Sequence, residues 1–291
     1  MDQLRDKDKY RHNVRMTSQP NGFNRFGGQQ MPEADKDYEN FVSEALRIVK
    51  LAEENGILLR IMGAVAIRYH CPTFGHLYRD MSRALTDLDF ATYGKYKQKL
   101  KPFFTGLGYV SNEFMLKYYG NMRQLYYGQG GPIPQCDIFL DKIDMSHVVD
   151  FKGRLELDSP TLTLADLFLE KMQINKINEK DIKDTIIMLR EHEVGDQEKN
   201  MVNKKYVAKA LSDDWGFYYD VTTNIKKVKD YLPNFPSLSS DDKDIVAKRL
   251  DELVTEIEGC PKSFGWKMRA RVGTSKQWYK EVEEVVRGVQ K

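Results

Sequence analysis

Cysteine is scarce, with only Cys71, Cys136 and Cys260 in a chain of 291 residues. Three widely spaced cysteines without a C-x-x-C pair argue against a disulfide frame or a zinc knuckle and fit a reducing compartment. Long apolar runs are also missing. No stretch approaches the roughly 18 apolar residues of a membrane span, and no early apolar run follows the charged N-terminus. The expectation is a soluble, cytoplasmic protein with no membrane partner. Net charge is small, at +2 for a chain with 30% charged residues, which disfavours a protein that coats an extended polyanion but leaves room for a local basic patch. Two glycine-rich nucleotide fingerprints are absent as well, the Walker-type Gly-x-x-x-x-Gly-Lys and the Rossmann Gly-x-Gly-x-x-Gly.

What the chain does contain is a pair of acids in a short apolar segment, Thr86-Asp87-Leu88-Asp89-Phe90. Successive side chains of a strand point to opposite faces, so Asp87 and Asp89 share one face and Leu88 and Phe90 the other. Two like charges that close repel, and they persist where a cation holds them or where one stays protonated. With oxygen donors only, that cation would be hard, and Mg²⁺ fits best. A solvent-facing strand with two ordinary aspartates gives the same pattern. A third acid, Asp137, interrupts the apolar run Gln135 to Leu140. Burying it unpaired costs several kcal/mol, so it lies at an edge, is hydrogen-bonded, or completes a cation site with Asp87 and Asp89.

Around these acids the periodicity alternates between helix and strand. Residues 1–36 mix charge with Asn, Gln and Gly and read as a flexible arm. An amphipathic helix is predicted from Asp37 to Asn55, a strand over Ile57–Met62, a break at Gly63-Ala64, and a short helix from Val65 to Tyr69. A small residue between strand and helix lets backbone amides approach a phosphate, although packing is the commoner reason for such a glycine. Cys71 to Arg83 reads as a loop; His70, Cys71 and His76 in and beside it lack a fourth ligand for a soft metal. The acidic strand is predicted over Leu85–Ala91, a helix over Lys95–Leu107, and a hairpin from Tyr109 to Tyr127 turning at Gly120-Asn121. Helices follow from Thr163, with Lys171 beside the apolar face, and over Glu179–Glu193, where Asp181 and Asp184 stand three apart. Lysine beside an apolar face ordinarily snorkels to water, and such acids ordinarily form a solvated face. From Met201 onward the pattern is helical, over Val202–Leu211, Tyr218–Tyr231, Asp241–Ile257 and Ser275–Val286, with a domain boundary near Gly195.

This order of elements resembles the polymerase-beta-like nucleotidyltransferase superfamily over roughly Asp37 to Leu189. Within it, the segments Leu164-Ala165-Asp166-Leu167-Phe168-Leu169-Glu170-Lys171 and Lys180-Asp181-Ile182-Lys183-Asp184 are similar to those of the AbiE-type toxin family. Two departures stand out: Gly63 is followed by Ala64 rather than Gly or Ser, and the stretch from Gly63 to Asp87 is longer than the family spacing. The resemblance implies an α+β fold, a mixed sheet flanked by helices over 37–195 and an all-α C-terminal domain over 196–291. It implies metal-assisted transfer of an NMP from an NTP, with Mg²⁺ held by Asp87, Asp89 and Asp137 as a two-metal site when the NTP is bound. It further implies a nucleotide turn at Gly63 and Ala64, Lys171 on phosphate or acceptor, and Asp184 and Asp181 supporting it or orienting an acceptor hydroxyl. Arg79 or Arg83 in the longer stretch could reach the nucleotide.

The acceptor implied is RNA, such as a tRNA end, with an antitoxin protein as a further partner. A small-molecule nucleotidyltransferase of the antibiotic-inactivating kind and a silent binding protein of the same fold are the alternatives. One stretch bears on this choice: Lys262, Lys267, Arg269, Arg271 and Lys276 surround Phe264 and Trp266 with no acid among them. Such a segment can grip a single-stranded RNA end, or its aromatics can pack inward while the charges face water.

Overall fold

Phe41, Ala45, Ile48, Val49 and Ala52 recur three and four residues apart, so one helical face buries all of them. They line α1 (Glu33–Glu54), after which Gly56 turns the chain with a φ of 64°. The structure, a computed structural model, describes residues 33–130 and 133–282. Of the arm expected at the N-terminus, residues 1–32 lie outside the described residues, and Glu33 already opens α1.

From α1 the chain runs through β1 (Leu59–Met62), α2 (Gly63–His70), α3 (His76–Asp80), β2 (Leu88–Thr92), α4 (Lys97–Gly106), β3 (Tyr109–Ser111), α5 (Glu113–Tyr119), β4 (Arg123–Gly128) and β5 (Gln135–Leu140). The five strands form one mixed sheet in the order β1-β2-β5-β4-β3. Only β2 and β5 run parallel; the other neighbours are antiparallel. Register decides which side chains share a face. Phe90 pairs with Ile138, and Leu88 and Tyr126 both pair with Cys136, so these fully buried side chains make the core face. Phe104 from α4 stacks there on Tyr126, ring centroids 4.5 Å apart. The opposite face carries Asp89, Asp137, Leu125 and Tyr127, and it is the one that opens to a cleft.

A small hairpin, β6 (Lys142–Asp144) with β7 (Val148–Asp150), leads to α6 (Leu164–Met172) and α7 (Glu179–Glu191). Each of these helices starts at a side-chain cap: Thr163 accepts from the Asp166 amide and Asn178 from the Asp181 amide. A parallel pair, β8 (Glu193–Gly195) and β9 (Met201–Asn203), then joins them to α8 (Lys204–Ala210), α9 (Trp215–Tyr231), α10 (Ser240–Gly259) and α11 (Phe264–Val272). One apolar core extends from Tyr38 to Ile257 and passes Gly195 without a break, so α8 to α10 pack on α6 and α7. Among the described residues no helix is long and apolar enough to cross a membrane.

Several expectations change, among them the helical run from Met201 onward, whose first three residues are strand β9, with α8 starting only at Lys204. The hairpin expected from Tyr109 to Tyr127 is β3 and β4 paired around the inserted helix α5, because Asn112 caps a new helix by accepting from the Met115 amide. The Cys71–Arg83 loop contains the one-turn α3, whose Leu77 and Tyr78 are buried. The last helix is placed earlier, at Phe264–Val272; residues 276–282 are extended or bent, and 283–286 of the helix expected there lie outside the described residues.

Phe104 is the aromatic that ties α4 to the sheet, also meeting Phe90 and Tyr109. Phe104→Ala is expected to lower unfolding free energy by about 3–5 kcal/mol, read from a urea titration. A loss below about 1 kcal/mol would show that α4 does not depend on this stack.

Candidate active site

The parallel pairing of β2 with β5 sets Asp89 directly opposite Asp137. Asp87 lies just before β2, since the strand begins at Leu88 rather than at Leu85 as expected, but it opens onto the same space. These three acids and Glu170 of α6 line one cleft of about 1180 Å³. Burial, then Asp87, Asp137 and Glu170, push the Asp89 carboxyl well above the usual carboxylate range, against the pull of Lys171. Burial also raises Asp137, partly offset by Arg123, whose Nε donates to Oδ1 and Oδ2 at 2.8 and 2.9 Å while Nη2 donates to Oδ2. Glu170 is raised by burial and eased by Lys171 and by the Gly63 amide, which donates to its Oε2 at 3.0 Å.

Gly63 is required at this spot for two reasons. Its φ is +69°, and a Cβ there would stand 2.5 Å from Asp89 Oδ2. At the turn expected to meet nucleotide, the Gly63 amide donates to a carboxylate and the Ala64 carbonyl accepts from Tyr78 Oη at 3.1 Å, and neither residue is among those lining the cleft.

Lys171 does not snorkel to water. Its Nζ lies 3.1 Å from Asp184 Oδ2, 3.3 Å from Asp181 Oδ1 and 3.6 Å from Glu170 Oε1. Burial pulls its ammonium pKa down, but Asp184, Asp181 and Glu170 together raise it above the ordinary lysine value. Arg83 clamps the fully buried Asp184 with Nε and Nη2, both at 2.8 Å. The cleft lining leaves out Lys171, Asp184 and Arg83, expected on phosphate or acceptor. They form a buried ion cluster behind the cleft wall, because each charge already has its counter-charge there. Of this group only Asp181 and Glu170 reach the lining.

Several lining residues escaped the sequence reading: Glu170, Arg123, Lys176 and Lys180. Arg123 could have been found from its odd-numbered place on β4, which turns it to the same face as Asp137. Lys176 sits in the loop between α6 and α7, where no periodicity marks it. The C-terminal segment also reaches the cleft through Tyr279, Glu281 and Val282, held by Trp278, whose Nε1 donates to Asp220 Oδ1 at 2.9 Å.

The donor chemistry of Asp87, Asp89 and Asp137 fits a hard divalent cation, since all their atoms on offer are oxygens. Asp137 is held by Arg123, and among the described residues no three acidic, His or Cys side chains close into a ligand group. The basic C-terminal stretch lies elsewhere. Arg269 donates to the carbonyls of Gly273 and Lys276 at 2.6 and 2.8 Å, Trp266 packs edge-on against Tyr218, and none of the five basic residues lines the cleft.

No family model, curated protein or solved structure matches the chain. The geometry of the cleft is thus the basis for any functional reading.

Lys171→Met leaves Asp181 and Glu170 without their buried counter-charge. The expected result is a loss of about 3–5 kcal/mol of stability, measured by denaturant titration. A loss under about 1 kcal/mol would mean that Arg83 alone neutralises the cluster.

Proposed function

We propose that this chain is a metal-dependent nucleotidyltransferase that moves an NMP from an NTP to an RNA acceptor such as a tRNA end. The observation that carries the reading is the in-register pair Asp89 and Asp137 on neighbouring parallel strands, with Asp87 beside them at the floor of an open cleft. Mg²⁺ held by Asp87, Asp89 and Asp137 would, when bound, neutralise the triphosphate and align the attacking and leaving oxygens.

The remaining work falls to the chain's own residues. Lys176 and Lys180 offer positive charge to the phosphates in the cleft lining. Arg123 belongs to the same lining, so its guanidinium can exchange a carboxylate of Asp137 for a phosphate oxygen, both being forked acceptors. Lys171 and Arg83 are positioning residues: they hold Asp184 and Asp181, and Lys171 steadies Glu170, which fixes the Gly63 backbone under Asp89. A cleft of about 1180 Å³ exceeds the roughly 300–1,000 Å³ of ordinary small-molecule pockets, leaving room for an acceptor beside the nucleotide. The AbiE-like segments around Lys171 and Asp184 support the narrower reading of a toxin with an antitoxin partner.

Incubation with each labelled NTP and total RNA in Mg²⁺ tests the reading, with label transfer to RNA as the expected result. Asp89→Asn should abolish transfer while raising the thermal midpoint of the metal-free protein, because one of the mutually repelling carboxylates is gone. Transfer at the wild-type rate by that variant would sink the enzyme reading.

A further inference from the structure

Charge is unevenly distributed along this chain. Between Asp89 and Asp137, residues 90–136 hold six basic side chains, Lys95, Lys97, Lys99, Lys101, Lys117 and Arg123, and a single acid, Glu113. A chain of net charge +2 therefore concentrates more than its whole surplus in one stretch, which folds as α4, β3, α5 and β4. The same stretch exposes large apolar side chains: Phe114 is 63% and Tyr118 60% exposed, and Val110, Tyr119, Met122 and Tyr127 are also open. Single exposed aromatics are ordinary, but these are contiguous. The Phe114 ring centroid is 4.8 Å from that of Tyr118 and 6.4 Å from that of Tyr119, and Val110 pairs with Tyr127 across β3 and β4.

This patch continues into the cleft. Tyr127 lines both, and its hydroxyl accepts from Asn112 Nδ2 at 3.1 Å, which joins the cap of α5 to the cleft rim. Lysines stand among the rings. Lys117 Nζ lies 5.2 Å from the Tyr118 ring centroid, and Lys97 Nζ donates to Asn121 Oδ1 at 2.7 Å just beyond α5. Protein-binding patches are depleted in lysine, whereas rings interleaved with lysines meet the two needs of a single strand, stacked bases and neutralised phosphates.

We propose that α5 and the adjoining edge of the sheet form a single-stranded RNA platform, on which unpaired bases stack against Phe114, Tyr118 and Tyr119 while Lys97 and Lys117 neutralise the backbone. The strand then passes Tyr127 and delivers its terminal hydroxyl toward Asp89 and Asp137; this step rests on the transfer reading above. The platform is thus the acceptor side of the cleft, and Lys176 and Lys180 serve the nucleotide side.

The test is binding of a fluorescent single-stranded RNA oligomer to the full chain without NTP or metal, across a salt series. Phe114→Ala with Tyr118→Ala should weaken binding about tenfold or more, since stacking accounts for that much per base. Lys97→Gln with Lys117→Gln should make the slope of log affinity against log salt shallower by about 1.4. All four side chains are outside the core, so circular dichroism should match wild type, and NTP binding, measured separately, should be retained. Unchanged affinity and slope in both variants, with wild-type transfer intact, would overturn the platform and leave the transfer reading standing. Failure of the wild-type chain to bind the oligomer would also overturn it and reassign the patch to a protein partner. Loss of binding in the variants, with no transfer by wild type to any RNA, would keep the RNA surface and remove the enzyme.

Discussion

Repulsion among Asp87, Asp89, Asp137 and Glu170 is the constraint to which the rest of this region answers. Their charged forms disfavour one another, and burial adds to that cost, so the surroundings decide which carboxyl stays ionised. The surroundings distribute that cost. Arg123 takes Asp137, the Gly63 amide takes one oxygen of Glu170, and Lys171 stands between Glu170, Asp181 and Asp184. Asp89 is left with the least compensation, and its carboxyl is accordingly driven furthest from the ordinary range by burial and by its acidic neighbours. A buried acid in register with a second one on the neighbouring strand is held mainly in its neutral form, since its charged form has both burial and its neighbours against it.

The helices after Gly195 belong to the same construction. Asn224 of α9 donates to the carbonyls of Met172 and Ile174 at 3.0 and 2.7 Å, so it holds the chain leaving α6 just before Lys176. Four residues earlier on α9, the buried carboxylate of Asp220 accepts from Asn175 Nδ2 at 2.9 Å and from Trp278 Nε1 at 2.9 Å, and shares a 2.7 Å contact with His147 Nε2. That one acid therefore links the α6–α7 loop, the β6–β7 turn and the C-terminal segment. Three pieces of the cleft wall meet on a helix that the sequence alone assigns to a separate domain. Buried networks of this kind are tolerated when every member is satisfied, and they fix geometry better than apolar contacts do.

Elements with a strong period were legible in the sequence. The strand Gln135–Leu140 has the expected limits, and Thr163 and Asn178 begin helices as polar residues before apolar runs should. Alternation at a spacing of two also put Asp87 and Asp89 on one side, and they do share the cleft, although the strand hydrogen bonds begin only at Leu88. Contacts between distant segments were not legible. Arg123 and Asp137 meet only because β4 lies beside β5, and Glu170 meets Gly63 only because α6 packs on α2, which Gly63 opens. Lys171 shows the limit most clearly, since a lysine beside an apolar helical face ordinarily extends to water, whereas this one finds three carboxylates first. The α5 helix was hidden for a different reason: aromatic residues favour strands, and a local cap from Asn112 outweighed that propensity.

Net charge shows why segregation matters more than totals. A formal +2 over 291 residues suggests little attraction for a polyanion, and over the whole surface that inference holds. At physiological salt, however, fields from exposed charges fade within about 8 Å, so a ligand near α5 senses Lys97 and Lys117 first, while Lys101 is paired with Glu113 at 2.8 Å. The acidic cleft floor and the basic edge are then separated by a few strands of one sheet, with Arg123, Leu125 and Tyr127 on β4 between them. Opposite signs of charge face a ligand at the edge and one at the floor. One sheet thus sets an acidic face beside a basic edge, a segregation that the near-neutral total conceals.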